Sequence, residues 1–463
     1  MPRIERVKPR SAMIGDAPRD LVNGEKRSRL LHRKLALIES LAMRRALAVS
    51  LVVTACSSSP SNAPDASVDA SNDSPVTPED VAPPPPPPAE PGRHTITLVD
   101  TRQVVPSAGI PTETPPGNSN NNLDVARLGG RTWLAWRTAP NHFASTQTAM
   151  FVVSSEDERA WRFEARFAVG SDLREPRLLV LDGRLFLYVS RLGANPLAFE
   201  PQGVSVTERR ADGTWTDLAP IYTPGFLTWR TRTERGTPYM VGYLHGENEY
   251  LFNGLPIDVE LLTTTDGRAW RAVDPMHNPV YRGGGSEADF TLGDDGTLYA
   301  VIRNEAGDET GWGSKVCRAS SASVAAWTCR SDPRKYDSPL MFWHDGEAYL
   351  VARRNVTETG AYDLMYRDQS FVSQVVQYQL DYRNHPKRCA IWRYVQGEDR
   401  IAFVMDLPSR GDTCFASILD GETPDEKVLY NYSSPIDGPD VVWWQGQQGE
   451  TRIYRHVLRF TRR

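Results

Sequence analysis

From residue 94 onward, apolar and polar positions alternate with a period of two, and the alternating runs come in pairs about a glycine turn. The stretch 172–191, DLREPRLLVLDGRLFLYVSR, is one such pair. Two apolar arms flank Asp182-Gly183, Asp172, Arg174 and Glu175 stand at the entry, and Arg191 stands at the exit. Alternation on both sides of an Asp-Gly turn predicts a β-hairpin. The pattern recurs in GNSNNNLDVARLGGRTWLAWR ending at Arg137, GSEADFTLGDDGTLYAVIR ending at Arg303 and YDSPLMFWHDGEAYLVAR ending at Arg353. In the four copies a polar residue (Asn121, Glu175, Glu287, Asp337) lies eight or nine positions before the turn glycine, and an Arg lies seven or eight after it. A fifth copy, FLTWRTRTERGTPYMVGYLHG, puts Arg230 before Gly236 and His245 after it.

A second repeat runs between the hairpins. VSSEDERAWR (153–162) aligns with LTTTDGRAWR (262–271), and Trp161, Trp215, Trp270 and Trp327 are spaced by 54, 55 and 57 residues. Tight turns of Ser/Thr, Asp and Gly before a Trp resemble a degenerate Asp box, in which the Asp caps the amides of the turn. A period near 55 in strand-forming sequence is the signature of propeller blades. The predicted fold is therefore all-β, a six-bladed β-propeller of four-stranded antiparallel sheets over 93–463. The sixth blade falls around 412–460, and HTITLVD (94–100) should pair with RIYRHVLRF (452–460) to close the ring. The fifth blade is the least regular, because DLMYRDQSFVSQVVQYQLDYRNHPKRCAIW contains no Trp box.

In a hairpin, the start of the first strand and the end of the second lie side by side, opposite the turn. If the first strand of every blade lines the central channel, the polar starts and the Arg ends meet at one mouth. Glu175, Glu287, Asp337, Arg137, Arg191, Arg303 and Arg353 would then ring a funnel, a ligand site. The plainer alternative is that each acid and Arg staple their own blade's rim, where an exposed pair contributes only ~0–1 kcal/mol.

Charge is unevenly spread. The net charge is −5, but residues 1–45 hold 12 Lys+Arg against 5 Asp+Glu, which leaves the rest at −12. An acidic body argues against a nucleic-acid partner. Residues 43–56, MRRALAVSLVVTAC, read as a basic n-region, a short apolar run and Val53-Thr54-Ala55-Cys56, which resembles a bacterial lipobox with Cys56 as the lipidated residue. Residues 57–92 are rich in Ser, Asp and Pro, include Pro83–Pro88, and have too little apolar surface to fold, so a disordered linker is expected. Residues 1–42 are expected to be a disordered extension, omitted if translation starts at Met43 or else part of an unusually long n-region. These features predict a monomer tethered by lipid in the bacterial cell envelope, at the outer membrane, since Ser57 replaces the Asp of an inner-membrane retention signal. Export also favours disulfides among the four remaining cysteines. Four allow three connectivities, and local closure favours Cys317–Cys329 and Cys389–Cys414. Their spacing suggests no metal site, and no cofactor is expected.

Taken in order, AWR (135–137), DLREP (172–176), TWR followed by YMVGY (228–243), SEADFTLGDDGTLYAVIR, GSK (313–315), SPLMFWHDG and RGDTCFAS…YNYSSPIDG…TRIYR are similar to the bacterial exo-sialidase-like six-bladed propellers, over about 95–460. That resemblance implies carboxylate-binding Arg residues, a Tyr nucleophile paired with a Glu, and an Asp acid/base. A bidentate Arg suits a planar carboxylate, and a neutral Tyr avoids repulsion from it. Carried over by position, Arg137, Arg230 and Arg303 bind the carboxylate, Glu287 activates the Tyr, Tyr430 or Tyr432 is the nucleophile, and Asp172 or Asp412 the acid. Where the family has Arg-Ile-Pro, this chain reads Trp136-Arg137-Thr138.

The ligand expected is a glycan or another small acidic molecule. Two other readings stay open. Glu175-Pro176 and the Gly-x-x-Phe-x-Tyr pattern also resemble arabinosidase-like and invertase-like enzymes, which use two carboxyls. A propeller that binds glycans or an envelope component without turnover is the third.

Overall fold

The computed structural model describes residues 83–251 and 253–463. The predicted lipobox with Cys56, the start at Met43, residues 1–42 and linker residues 57–82 lie outside them. Pro83–Pro88 carry no regular secondary structure, and beyond them the Glu90 amide donates to the Phe403 carbonyl at 2.8 Å, on the outer edge of blade five.

Six antiparallel sheets make the body. From the axis outward, blade one comprises Ser119–Leu128, Arg131–Ala139, Ala149–Ser155 and Arg162–Phe167. Blade two comprises Asp172–Leu181, Arg184–Leu192, Pro201–Glu208 and Ala219–Ile221. Blades three, four and five begin on Leu227–Glu234, Gly285–Leu292 and Asp337–His344 and repeat the order, blade three with a short extra strand, Tyr281–Gly283. Blade six runs Ser417–Asp420, Glu426–Ser433, Arg452–Arg462 and then His94–Val105. The first strand of the body is thus the outermost strand of the last blade, with His94 opposite Arg462 and Leu98 opposite Leu458. This closes the ring without leaving a seam between its two ends.

The middle strands are buried on both faces between adjacent blades, so Arg131–Ala139 and Glu347–Asn355 are buried almost throughout. The outermost His94–Val105 alternates at its start. The Asp boxes form as the residue types require. Asp157 Oδ1 accepts the Arg159 and Ala160 amides at 2.8 Å, and Asp266 Oδ1 accepts those of Arg268 and Ala269 at 2.8 Å. These bonds hold the exposed Asp157 carboxyl down at about 2. Both boxes join the third and fourth strands on the face opposite the mouth.

Blade five is irregular because its second and third strands are joined by a long excursion, Val356–Pro386, containing the helix Phe371–Arg383. Ser370 caps the helix through the Ser373 amide, and Val375, Tyr378 and Tyr382 bury against Trp312 and Tyr362. Both disulfides have the predicted pairing. Cys317 lies directly across from Cys329 in blade four, and Cys389 of blade five joins Cys414 at the entry to blade six.

Candidate active site at the channel mouth

Every inner strand of the first five blades carries a β-bulge at its mouth end, at Asn121–Leu123, Arg174–Arg177, Thr228–Arg230, Gly285–Ala288 and Asp337–Leu340. Three bulges hold a non-glycine residue in the left-handed region: Asn122 at φ 41°, Glu175 at 52° and Ser338 at 55°. Cys414, at the entry to blade six, has φ 77°. A bulge leaves backbone groups out of the ladder and re-aims side chains. Neighbouring carboxylates take up the amides near the bulges. Asp124 accepts Leu178 N at 2.8 Å, Glu287 accepts Ser338 N at 2.9 Å and Asp289 accepts Met341 N at 2.7 Å.

The re-aimed groups form a chain of contacts around the mouth. In blade two, Asp172 accepts Arg137 Nε of blade one at 2.9 Å, Thr148 Oγ1 at 2.8 Å and Arg174 Nε. Arg137 also donates to Asn121 Oδ1 at 3.2 Å and to the Asn141 and Phe143 carbonyls, so its fork is full. Arg174 donates to the His142 carbonyl at 2.7 Å, and His142 Nδ1 meets Asp412 Oδ2 of blade six at 2.7 Å. Asp412 Oδ1 accepts the Tyr432 hydroxyl at 2.9 Å. Arg353 of blade five donates to the Thr413 carbonyl at 2.8 Å and to Asp337 Oδ2 at 2.9 Å, and Asp337 also accepts the Tyr382 hydroxyl at 2.6 Å. In blade four, Arg303 contacts Glu287 at 3.0 Å, Glu305 at 3.3 Å and Glu249, which reaches over from blade three. Lys335 lies 3.0 Å from Glu305, and its ammonium faces the rings of Tyr382 and Tyr362 at 4.3 and 4.7 Å.

Lower in the channel the strands close on a floor. Arg230 of blade three spans to the Pro339 carbonyl at 3.0 Å and the Ala416 carbonyl at 3.1 Å. Trp229 Nε1 reaches the same Pro339 carbonyl, and its ring packs on Phe415 at 5.1 Å.

Burial separates the roles of the carboxyls. At Asp412 burial favours the neutral acid, but His142, Arg353 and Tyr432 together hold the carboxyl below its usual range. Asp337 falls to about 2, because Lys335, Arg353 and Arg303 overcome its burial. Glu175 is different. It is 7% exposed, its Oε2 has no partner in the protein, and burial together with the nearby Glu287 charge raises it to about 7. Glu287 is raised as well, by burial first, with Arg303 pulling against it.

Of the residues singled out from the sequence, Arg137, Asp172, Arg174, Glu287, Arg303, Asp337, Arg353, Asp412 and Tyr432 are joined around the mouth, and Glu175 stands at the bulge of blade two with Oε2 unpartnered. Arg191 is half-buried, with Nε unpartnered. Arg230 belongs to the floor. Tyr430 points elsewhere, against Trp161 and towards Glu158, Arg455 and Arg102. Glu249, Glu305, Lys335, Tyr382 and His142 also enter the ring and were not anticipated. Glu305 follows Arg303 by two positions and Lys335 precedes Asp337 by two, so a charged neighbour flanked the hairpins of blades four and five alone. Tyr382 and His142 come from excursions without a repeat. Among the described residues no group of His, Cys, Asp and Glu side chains is arranged to hold a metal. A cavity of about 440 Å³ lies elsewhere, between the outer strands of blades four and five at Val316, Asp332 and Arg400.

No family model matches the chain, and no curated protein is similar to it in sequence. Its fold is similar to that of a protein of unknown function from Dyadobacter fermentans, at 13% identity and a TM-score of 0.53, over 79% of this chain and 99% of that one. A Trypanosoma rangeli sialidase in complex with sialic acid aligns at 12% identity with a TM-score of 0.49, over 80% of this chain and 59% of that one. Zg3597, a family 117 glycoside hydrolase produced by Zobellia galactanivorans, aligns at 14% identity with a TM-score of 0.35, over 57% of this chain and 86% of that one. The Dyadobacter match bears on the fold alone, and the other two are too distant in shape to bear on chemistry.

Proposed function

We propose that the protein is a glycoside hydrolase acting at the channel mouth, with Glu175 as general acid and Glu287 as the carboxylate that assists from the other side of the bond. The observation that carries this reading is the pair itself. Two carboxyls stand on bulged inner strands, and the Glu287 charge adds to burial in raising Glu175. One has an unpartnered oxygen and titrates near neutrality, and the other is anchored by Arg303 at 3.0 Å and by the Ser338 amide at 2.9 Å. In such a pair the proton is held by the carboxyl without a direct cationic contact. Protonated Glu175 can deliver its proton to a leaving glycosidic oxygen, while Glu287 meets developing positive charge or activates water. The arginines favour this reading over carboxylate capture, because Arg137, Arg303 and Arg353 are already engaged by protein acceptors.

One observation supports a second reading, hydrolysis of sialosides. The Tyr432 hydroxyl donates to Asp412, so a carboxylate stands ready to take its proton, with Arg353 beside both. A panel of aryl glycosides that includes a fluorogenic sialoside separates the two. If the carboxyl pair acts, Glu175→Gln and Glu287→Gln each lower kcat by about 10²–10⁴, the range for general acid–base groups, and Tyr432→Phe leaves turnover largely intact. Hydrolysis of the sialoside alone, lost in Tyr432→Phe, supports the second reading. Glycan binding without turnover of any substrate rules out both and supports a binding propeller.

A further inference from the structure

Beneath the ring, two buried arginines face each other with donors unmet. Arg177 leaves the inner strand of blade two at its bulge and is fully buried. Its Nε donates to the Trp229 carbonyl, and its guanidinium lies against Phe415 at 4.4 Å and Trp229 at 5.2 Å. Nη1 and Nη2 have no acceptor in the protein. Arg230 comes from blade three, and its Nε also lacks an acceptor, the Asp289 carboxylate standing 3.6 Å away. Three carboxylates lie near Arg177, Asp124 of blade one, Asp289 of blade four and Glu175 of its own strand, and the first two are committed. Asp124 accepts Leu178 N and Ser417 Oγ, and Asp289 accepts Met341 N and Arg232. The third, Glu175, carries its charge only above neutrality. Burying a cation without a counter-charge is costly, and the flat rings on Arg177 prevent it from swinging to a new partner.

We infer that the channel floor binds one small monovalent anion, of the halide class, between the Arg177 Nη groups and the Nε edge of Arg230. The close packing of Trp229, Phe415 and the arginines favours a monatomic ion over a phosphate or sulfate. Burial and the neighbouring Arg230 charge push Arg177 down to about 9, which is consistent with a cation whose partner is missing from the protein itself. Glu175 lies two residues from Arg177 on the same strand, but binding of an anion here does not require turnover.

The test uses the purified protein at constant ionic strength, with chloride or bromide replacing gluconate. The expected result is a rise in Tm of roughly 2 °C per tenfold increase in halide above Kd, as linkage gives for a chain of this size. Arg177→Met should abolish the dependence. Crystals soaked in bromide should show an anomalous scattering peak at the Arg177 guanidinium. The proposal is overturned if Tm is the same in gluconate and halide, if the dependence survives in Arg177→Met, or if no bromide peak appears there. Should Arg177→Met fail to fold, the wild-type bromide peak decides alone.

Discussion

Glu175 combines a positive φ, near-complete burial and an oxygen without a protein partner, each of which is unfavourable by itself. Its native pKa of about 7 lies above the ordinary 4.5, so the folded state holds its proton more tightly than the unfolded chain does. The associated stability is fully present below pH 4.5 and is lost as pH rises through 7, an effect on the order of 3 kcal/mol. Glu175→Gln should therefore gain on wild type as pH rises. The difference in Tm between the two, followed by calorimetry from pH 5 to 8, should move steadily in favour of the variant, and a constant difference would refute the raised pKa. The Tyr382 hydroxyl offers a second check. It donates to Asp337 at 2.6 Å where Arg353 also binds, and all three groups are buried. Tyr382→Phe should cost about 1–3 kcal/mol in denaturant unfolding, the range for leaving a buried acceptor short of one donor.

At the scale of elements, the hairpins explain why much of the site was legible. Asp337 pairs directly with Arg353 across its hairpin, and Asn121 with Arg137, as the spacing about the turn glycine required. The bulges were not legible, since Asn122, Glu175 and Ser338 adopt positive φ without being glycine. With the bulges hidden, neither the direction of each side chain nor the capture of amides by the next blade could be read. The helix Phe371–Arg383 was also missed. Phe371, Val375, Tyr378 and Tyr382 recur at helical spacing and form the packed face, but Val372, Val376 and Leu380 fall outside it and Tyr and Val favour strands, so the stripe was obscured. The clasp between blades five and six was foreseen as a disulfide but not as part of the mouth. Cys414 follows Thr413, whose carbonyl holds Arg353, and Asp412 precedes both. Replacing Cys389 and Cys414 by Ser should lower stability by about 3 kcal/mol, the value for a loop of this length. It should also lower turnover of whichever glycoside is cleaved, because Asp412 and Arg353 lose a fixed support. Unchanged kinetics in the folded variant would separate the clasp from the site.

At the largest scale, the propeller body is a ring closed by one strand. His94–Val105 covers Arg452–Arg462, which lies between it and Glu426–Ser433. Deleting residues 83–105 exposes that edge along its length, and the expected outcome is aggregation or loss of a cooperative unfolding transition. A soluble, cooperatively folding product would show that blade six is stable with three strands. The direction of the closing strand has a further consequence. His94 lies beside Asp345 and Glu347 at the hairpin turn of blade five, Val105 runs up towards the mouth, and the Arg463 amide bonds the Arg93 carbonyl at 2.9 Å. Both ends of the propeller body therefore emerge from its underside. A surface or a fusion partner joined there attaches on the face opposite the inner-strand bulges, so immobilisation of the body through either end should leave ligand binding at the carboxyl pair unchanged.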